Sequence, residues 1–352
     1  MGKTLFLFFI ITTGCLSMGK YYSFFLEDSS EKSNKEITPG IAVSVIKNGR
    51  EVYTKSYGYS NFKTGNLISS DTNFRLASLS KQFTAMCLAI LEEKGVINSD
   101  DYISKYIPEM PEYTRKIRVK HLVYHTSGLP DYMELYDFDN RENPYKEYVT
   151  NNDIIKLLKI KRKLLFIPGE KFLYSNTGYA VLAVLIERAS GTSFPEFIEK
   201  EIFNKIGMNK SIVPLSDVTP VEKQAVSYDG WPHFKPNIED PCNYIYGDGT
   251  VYSSVNDMIK WFRAIDTNKL ISHKEKIFEP GRLNNGKKIS YAYGWSIDEY
   301  NGEKIISHEG SWLAFNTIDI YIPERRLWIL VLTNSSKIEP DIIAEKLITR
   351  FE

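Results

Sequence analysis

Apolar residues in this chain recur at every second position near its two ends and at every third or fourth position through its middle. A strand sends successive side chains to opposite faces, whereas a helix returns to one face every 3.6 residues, so the two periods predict terminal strands and central helices. Near the N-terminus, the runs 41–46 and 52–57 flank Lys47-Asn48-Gly49-Arg50, and Asn-Gly between apolar runs is a hairpin signal. Near the C-terminus, Ile318, Ile320 and Ile322 alternate with Asp319 and Tyr321, and 327–332 is an unbroken apolar run suited to a strand buried on both faces. Between them, Phe83, Met86, Cys87, Ile90 and Leu91 have helical spacing over 80–93, and Gly95 is placed to end that helix. Further helical signals cover 119–124, 153–158, 178–189, 194–206 and 258–265, the last preceded by Ser254 and Asp257 at capping-box spacing, and a closing helix is expected over 341–351. The pattern predicts an α+β fold of the α/β-α sandwich type. Both chain ends build one antiparallel sheet flanked by helices, and a mainly helical region is inserted at about 80–270. A cleft is expected where sheet and insertion meet.

With 352 residues and 43% hydrophobic content, the chain can bury an enzyme-sized core. Lys plus Arg and Asp plus Glu both total 44, a balance that argues against nucleic acid and leaves a small molecule or peptide as the expected partner. Lys3, the apolar run 5–11 and Thr12-Thr13-Gly14-Cys15 predict an export signal over 1–19, because the run is shorter than the roughly 20 residues that span a bilayer. Gly14-Cys15 after an apolar run also resembles a bacterial lipobox, with Thr12 where Leu is usual. Membrane attachment through a lipidated Cys15 and plain cleavage nearby both stay open. A polar tether over 20–38 would then lead into a folded domain over 39–352, working as a secreted or cell-envelope protein. Cys87 and Cys242 are too few for a disulfide framework, and Cys87 reads as a buried thiol on the first helix.

Ser78-Leu79-Ser80-Lys81 is the most informative tetrapeptide. Three residues is nearly one helical turn, so Ser78 at a helix start shares a face with Lys81, and the helix N-terminus favours negative charge developing on a nearby oxygen. A hydroxyl needs something to take its proton, and a Lys serves only if its surroundings favour the neutral amine. Ser followed three positions later by Lys is common, and its usual meaning is a capped, solvated helix start. The surrounding residues therefore decide.

The run Phe74-Arg75-Leu76-Ala77-Ser78-Leu79-Ser80-Lys81-Gln82-Phe83-Thr84-Ala85 resembles the nucleophile helix of the serine β-lactamase and penicillin-binding protein superfamily, in its class C β-lactamase, DD-carboxypeptidase and esterase branch. Tyr174-Ser175-Asn176 matches the Y-x-N element in order, 121–132 matches a segment typical of the branch, and His308-Glu309-Gly310-Ser311 stands in the place of K-T-G or H-x-G. The resemblance implies a β-lactamase/transpeptidase-like fold, no cofactor or metal, and an acyl-enzyme on Ser78, with Lys81 and Tyr174 sharing its proton. Asn176 would bond Lys81 or the substrate amide. His308 would supply hydrogen bonding, with or without positive charge, and the N–H groups of Ser78 and Ser311, beside Gly310, would form the oxyanion hole. Glu309 departs from the pattern: facing the cleft it would repel a substrate carboxylate and disfavour β-lactams, although strand alternation also allows it to point outward.

Other motifs are weaker. His125 has no G-x-S-x-G serine to serve and reads as structural. His121 and His125 have zinc-ligand spacing but lack the intervening Glu of a metalloprotease. Residues 281–288 nearly spell a Walker A loop yet end in Lys288, which reads as a turn, and Gly247 and Gly249 read as a tight turn beneath the cleft. Two readings follow: an extracytoplasmic serine hydrolase acting on amide or ester bonds as a D-amino-acid peptidase, esterase or β-lactamase, or a surface protein of the same fold that binds peptidoglycan-like ligands without turnover.

Overall fold

The computed structural model describes residues 38–135, 148–160, 163–216, 218–230, 233–238 and 240–352. The expected export signal, Cys15 and the tether as far as residue 37 lie outside the described residues. Thr38, expected in the tether, is instead buried, and its carbonyl accepts from Tyr59 N at 3.0 Å.

Strands β1 (Ile41–Lys47) and β2 (Arg50–Tyr57) form the expected hairpin. Asn48 and Gly49 both adopt positive φ, 54° and 74°, as a tight turn matched to strand twist requires. The late strands are β3 (Ser296–Tyr300), β4 (Glu303–Trp312), β5 (Phe315–Ile322) and β6 (Leu327–Thr333), and the sheet order is β2-β1-β6-β5-β4-β3, antiparallel at every pairing. β1 pairs with β6 from Ile41 opposite Thr333 to Lys47 opposite Leu327, so the two ends of the chain supply adjacent central strands. Every residue of β6 is buried, which accounts for its unbroken apolar run.

Both faces of the sheet are covered. Ala42, Ile46, Tyr321, Trp328, Leu330 and Leu332 join the core built on the inserted helices, and the C-terminal helix Pro340–Arg350 packs on the opposite face of β5 and β6. The inserted helices used below are α1 (Ser80–Glu93), α2 (Val119–Val123), α3 (Asn151–Ile160), α4 (Asn176–Ser190), α5 (Phe194–Ile198) and α6 (Val255–Asp266), so the C-terminal helix is α7. All residues of α1 from Ser80 to Leu91 are buried, and Gly95 follows it with φ 69°.

Two expectations are corrected. The helix expected over 194–206 is α5, a π turn over Glu199–Phe203 and a final turn Asn204–Ile206, and the buried Glu201 of the π turn reaches Lys94 and Lys205 at 2.7 Å each. The capping box before α6 is half formed: Ser254 Oγ accepts from Asp257 N at 3.3 Å, but the Asp257 carboxylate instead accepts from Lys210 N at 2.8 Å and Ser211 Oγ at 3.0 Å.

Candidate active site

The chain enters the site through a two-residue strand, Phe74–Arg75, paired with Tyr252–Ser253. Leu76 is then pinned on both sides: its N–H donates to Val251 O at 2.8 Å and its carbonyl accepts from Thr317 Oγ1 at 2.9 Å. Ala77 has φ 49°, a left-handed conformation that costs a non-glycine residue about 1–2 kcal/mol, and these flanking bonds hold it there. Ser78 lies in the 3₁₀ turn Ala77–Leu79, half-buried, so α1 begins two residues later than the position expected for the nucleophile. Lys81 is fully buried, and its Nζ donates to Ser78 Oγ at 3.2 Å, Asn176 Oδ1 at 2.8 Å and Asp248 O at 2.9 Å. All three acceptors are uncharged groups. The Tyr174 ring centroid lies 4.9 Å from the same Nζ.

Tyr174 and Asn176 are placed by the segment 121–132. Asn176, the first residue of α4, donates its N–H to Asp131 Oδ2 at 2.6 Å, which satisfies one of the free donors at the helix start. Thr177 Oγ1 donates to Pro130 O at 2.8 Å and accepts from Tyr132 N at 2.7 Å. Ser175 N donates to His125 Nδ1 at 3.1 Å, and the His125 ring lies 4.2 Å from the Tyr174 ring, so His125 supports the tyrosine from behind and does not touch Ser78 Oγ. Burial, then the charge of Lys81, holds the His125 imidazole well below its usual pKa, in the neutral form that can accept from Ser175. His121 does the same one turn earlier, accepting from Arg118 N at 3.1 Å. Gly247 turns the chain with φ 99°, and a Cβ there would stand 2.2 Å from Tyr179 O; this turn delivers Asp248 O to Lys81 while the Asp248 carboxyl accepts from Tyr132 Oη at 2.6 Å.

The third side of the site is β4. β3 pairs with it only as far as Ser307, so His308 to Trp312 present an edge with no partner strand on that side among the described residues. A Cβ on Gly310 would lie 2.4 Å from Leu76 O and 3.1 Å from Ser78 N, so only glycine lets the edge approach the nucleophile turn. Ser311, next along, is exposed. His308 Nδ1 lies 2.6 Å from Glu309 O and its Nε2 lies 2.9 Å from Tyr291 Oη. A carbonyl can only accept, so Nδ1 carries the proton and Nε2 accepts from Tyr291. Burial, followed by Lys81, lowers this imidazole to about 3, so His308 contributes hydrogen bonding and no positive charge near neutral pH. Glu309 is exposed and points to the face away from Gly310, where Asp341 of α7 is among the charges acting on it. The repulsion expected from a cleft-facing Glu309 is therefore absent.

Four contributors escaped the sequence reading: Tyr291, Asp248 through its carbonyl, and the buried pair Gln82 and Asp319. Gln82 carries a signal in hindsight, since it follows Lys81 directly, whereas nothing local marks Tyr291. The Walker-like stretch is a turn closed by Leu283 N donating to Lys287 O at 2.9 Å.

Residues 30–350 match the model of the family described as Beta-lactamase. The chain is 35% identical over 311 residues to "Penicillin-binding protein 4*" of Bacillus subtilis, covering 84% of this chain and 68% of that protein. It is 26% identical over 303 residues to "D-aminopeptidase" of Gluconobacter oxydans, covering 84% of this chain and 56% of that one. Among solved structures, the octameric penicillin-binding protein homologue from Pyrococcus abyssi superposes with a TM-score of 0.78 at 30% identity, covering 95% of this chain and 77% of the other.

Proposed function

Because the chain belongs to the beta-lactamase family of serine hydrolases, we propose that it cleaves an amide or ester bond outside the cytoplasm through an acyl-enzyme on Ser78. The observation that carries this reading is the fully buried Lys81 Nζ lying 3.2 Å from Ser78 Oγ. Ser78 Oγ attacks the substrate carbonyl carbon, and its proton passes to the base shared by Lys81 and Tyr174. That pair must first have shed one proton, so that Lys81 as the free amine, or Tyr174 as the phenolate, has a lone pair to receive it. The tetrahedral oxyanion accepts from the N–H groups of Ser78 and Ser311, a preorganised pair at the meeting of the 3₁₀ turn and the free edge of β4. Collapse breaks the carbon–nitrogen or carbon–oxygen bond, the leaving group takes the proton back, and water then releases the acid from Ser78. Asn176 holds Lys81 through its Oδ1, while its Nδ2 donates to Met133 Sδ at 3.5 Å.

The name of one relative, D-aminopeptidase, supports peptides with D-amino acids as the substrate class, and the outward Glu309 removes one objection to carboxylate-bearing substrates such as penicillins. The test is intact-mass spectrometry after exposure to penicillin, an activated ester and a D-Ala-D-Ala peptide. An adduct on Ser78 that forms and decays is the expected result. An adduct that forms and persists with every substrate would instead support a ligand sensor, and Ser78→Ala labelled as fast as the parent would sink the assignment.

A further inference from the structure

Asp319 sits on β5 directly opposite His308 of β4, completely buried, and among the described residues no cation pairs with it. Its two oxygens accept from Gln82 Nε2 at 2.9 and 2.8 Å, and one also accepts from His308 N at 3.2 Å. Trp261 Nε1 of α6 donates to Gln82 Oε1 at 3.2 Å, which fixes the amide with its NH₂ toward the carboxyl. A buried carboxyl without a counter-ion is expensive, and nothing in sheet packing asks for one here. Its position explains its presence: Gln82 is the residue after Lys81, and His308 begins the strand edge that carries Gly310 and Ser311. We infer that Asp319 is a positioning residue that clamps the helix bearing Lys81 to the strand edge bearing the oxyanion N–H, and that the clamp loosens when the carboxylate is protonated.

This rests on the proposed acyl-enzyme chemistry. The carboxylate accepts every N–H aimed at it, whereas the protonated acid sets an O–H against donors that have no other acceptor. Burial raises the Asp319 carboxyl to about 7, against the opposing hydrogen bonds from Gln82 and from the backbone, so the change falls in an accessible range. The groups facing it are Gln82 from α1, Trp261 from α6, His308 from β4 and Leu330 from β6. Of these, only the His308 ring titrates, and it stays neutral down to about 3.

The experiment follows modification of Ser78 by a fluorophosphonate on the full chain from pH 5 to 9, with thermal unfolding in parallel. The parent should slow as pH falls through about 7. Asp319→Asn puts an NH₂ against the Gln82 NH₂, so it should react roughly 10–100-fold more slowly, the scale of a small misplacement of reacting groups, and lose the inflection near 7. The double variant Gln82→Glu with Asp319→Asn exchanges acceptor and donor and should recover part of the rate. Should Asp319→Asn fail to fold, Gln82→Met serves: removing a hydrogen bond that favours the carboxylate should slow the reaction and move the inflection to higher pH. Asp319→Asn or Gln82→Met reacting like the parent with the inflection in place overturns this inference alone. A parent that is never modified at Ser78 overturns the acyl-enzyme reading with it.

Discussion

At the scale of single residues, the site depends on one glycine as much as on its titratable groups. Gly310 lets β4 approach the nucleophile turn, and a Cβ would meet Leu76 O at 2.4 Å and Thr317 Oγ1 at 2.3 Å. Neither neighbour can yield cheaply, because Leu76 is bonded to Val251 and Thr317 is buried within β5. Gly310→Ala should therefore push the strand edge away from Ser78 and separate the two N–H groups assigned to the oxyanion. Losing one such donor costs about 3–4 kcal/mol of transition-state stabilisation, so acylation of Ser78 should slow by roughly 100- to 1,000-fold while Tm moves far less. Stopped-flow measurement of ester acylation decides it, and a variant acylated at the parent's rate would show that the edge plays no part. His308 supplies the companion case: its neutral ring is fixed by Tyr291, a residue 17 positions away that no local pattern connects to it.

At the scale of elements, the short helix α2 starts with an acceptor that works only while neutral. His121 Nδ1 takes the N–H of Arg118, and burial, then the nearby Lys120 and Arg118 charges, lower the imidazole to about 4. Between that value and the usual pKa of about 6.5, the unfolded chain binds the proton more readily, so this residue's contribution is complete above about 6.5 and is lost as pH falls toward 4. His121→Asn, which keeps a side-chain acceptor without the titration, should lose less stability on acidification. The difference between parent and variant should change by up to about 3 kcal/mol between pH 7.5 and 4.5, measured as urea unfolding midpoints. An equal loss in both chains would mean that His121 does not titrate as described. Local patterns gave the hairpin at Asn48-Gly49, the stop at Gly95, the period of α1 and the buried strand β6, because each depends on neighbours within a few residues. Asp319 shows where that reasoning stops. Its alternation with Ile318 and Ile320 looks like a polar face turned to solvent, and only the packing of α1 and α6 over that face makes it a buried group beside the site. The outward Glu309 and the π turn after α5 depend likewise on what packs against them.

At the scale of the whole molecule, covering both faces of the central sheet separates stability from chemistry. Ile329 of β6 pairs with Ile320 of β5 and Val45 of β1, and it belongs to the face opposite Trp328 and Leu330, the face over which α7 packs. Thr317 belongs to the other face, where its Oγ1 holds the carbonyl of Leu76 one residue before the strained Ala77. Ile329→Ala removes buried methyl groups from a strand that joins both ends of the chain, at a cost of about 2–5 kcal/mol, yet it lies away from every group around Ser78. Thr317→Val keeps the volume and removes the shorter of the two hydrogen bonds to Leu76 O, leaving it only the 3.3 Å bond from Leu79 N, at about 0.5–1.5 kcal/mol. If the two faces are independent, Ile329→Ala should lower Tm more while kcat per folded molecule stays at the parent's value, whereas Thr317→Val should lower Tm less and slow Ser78 acylation. The comparison needs calorimetry and active-site titration on the same preparations. A fall in kcat per folded molecule for Ile329→Ala would mean that the sheet transmits strain from its α7 face to the nucleophile turn. In that case the helix at the far end of the chain would be coupled to the chemistry through β6 and β5.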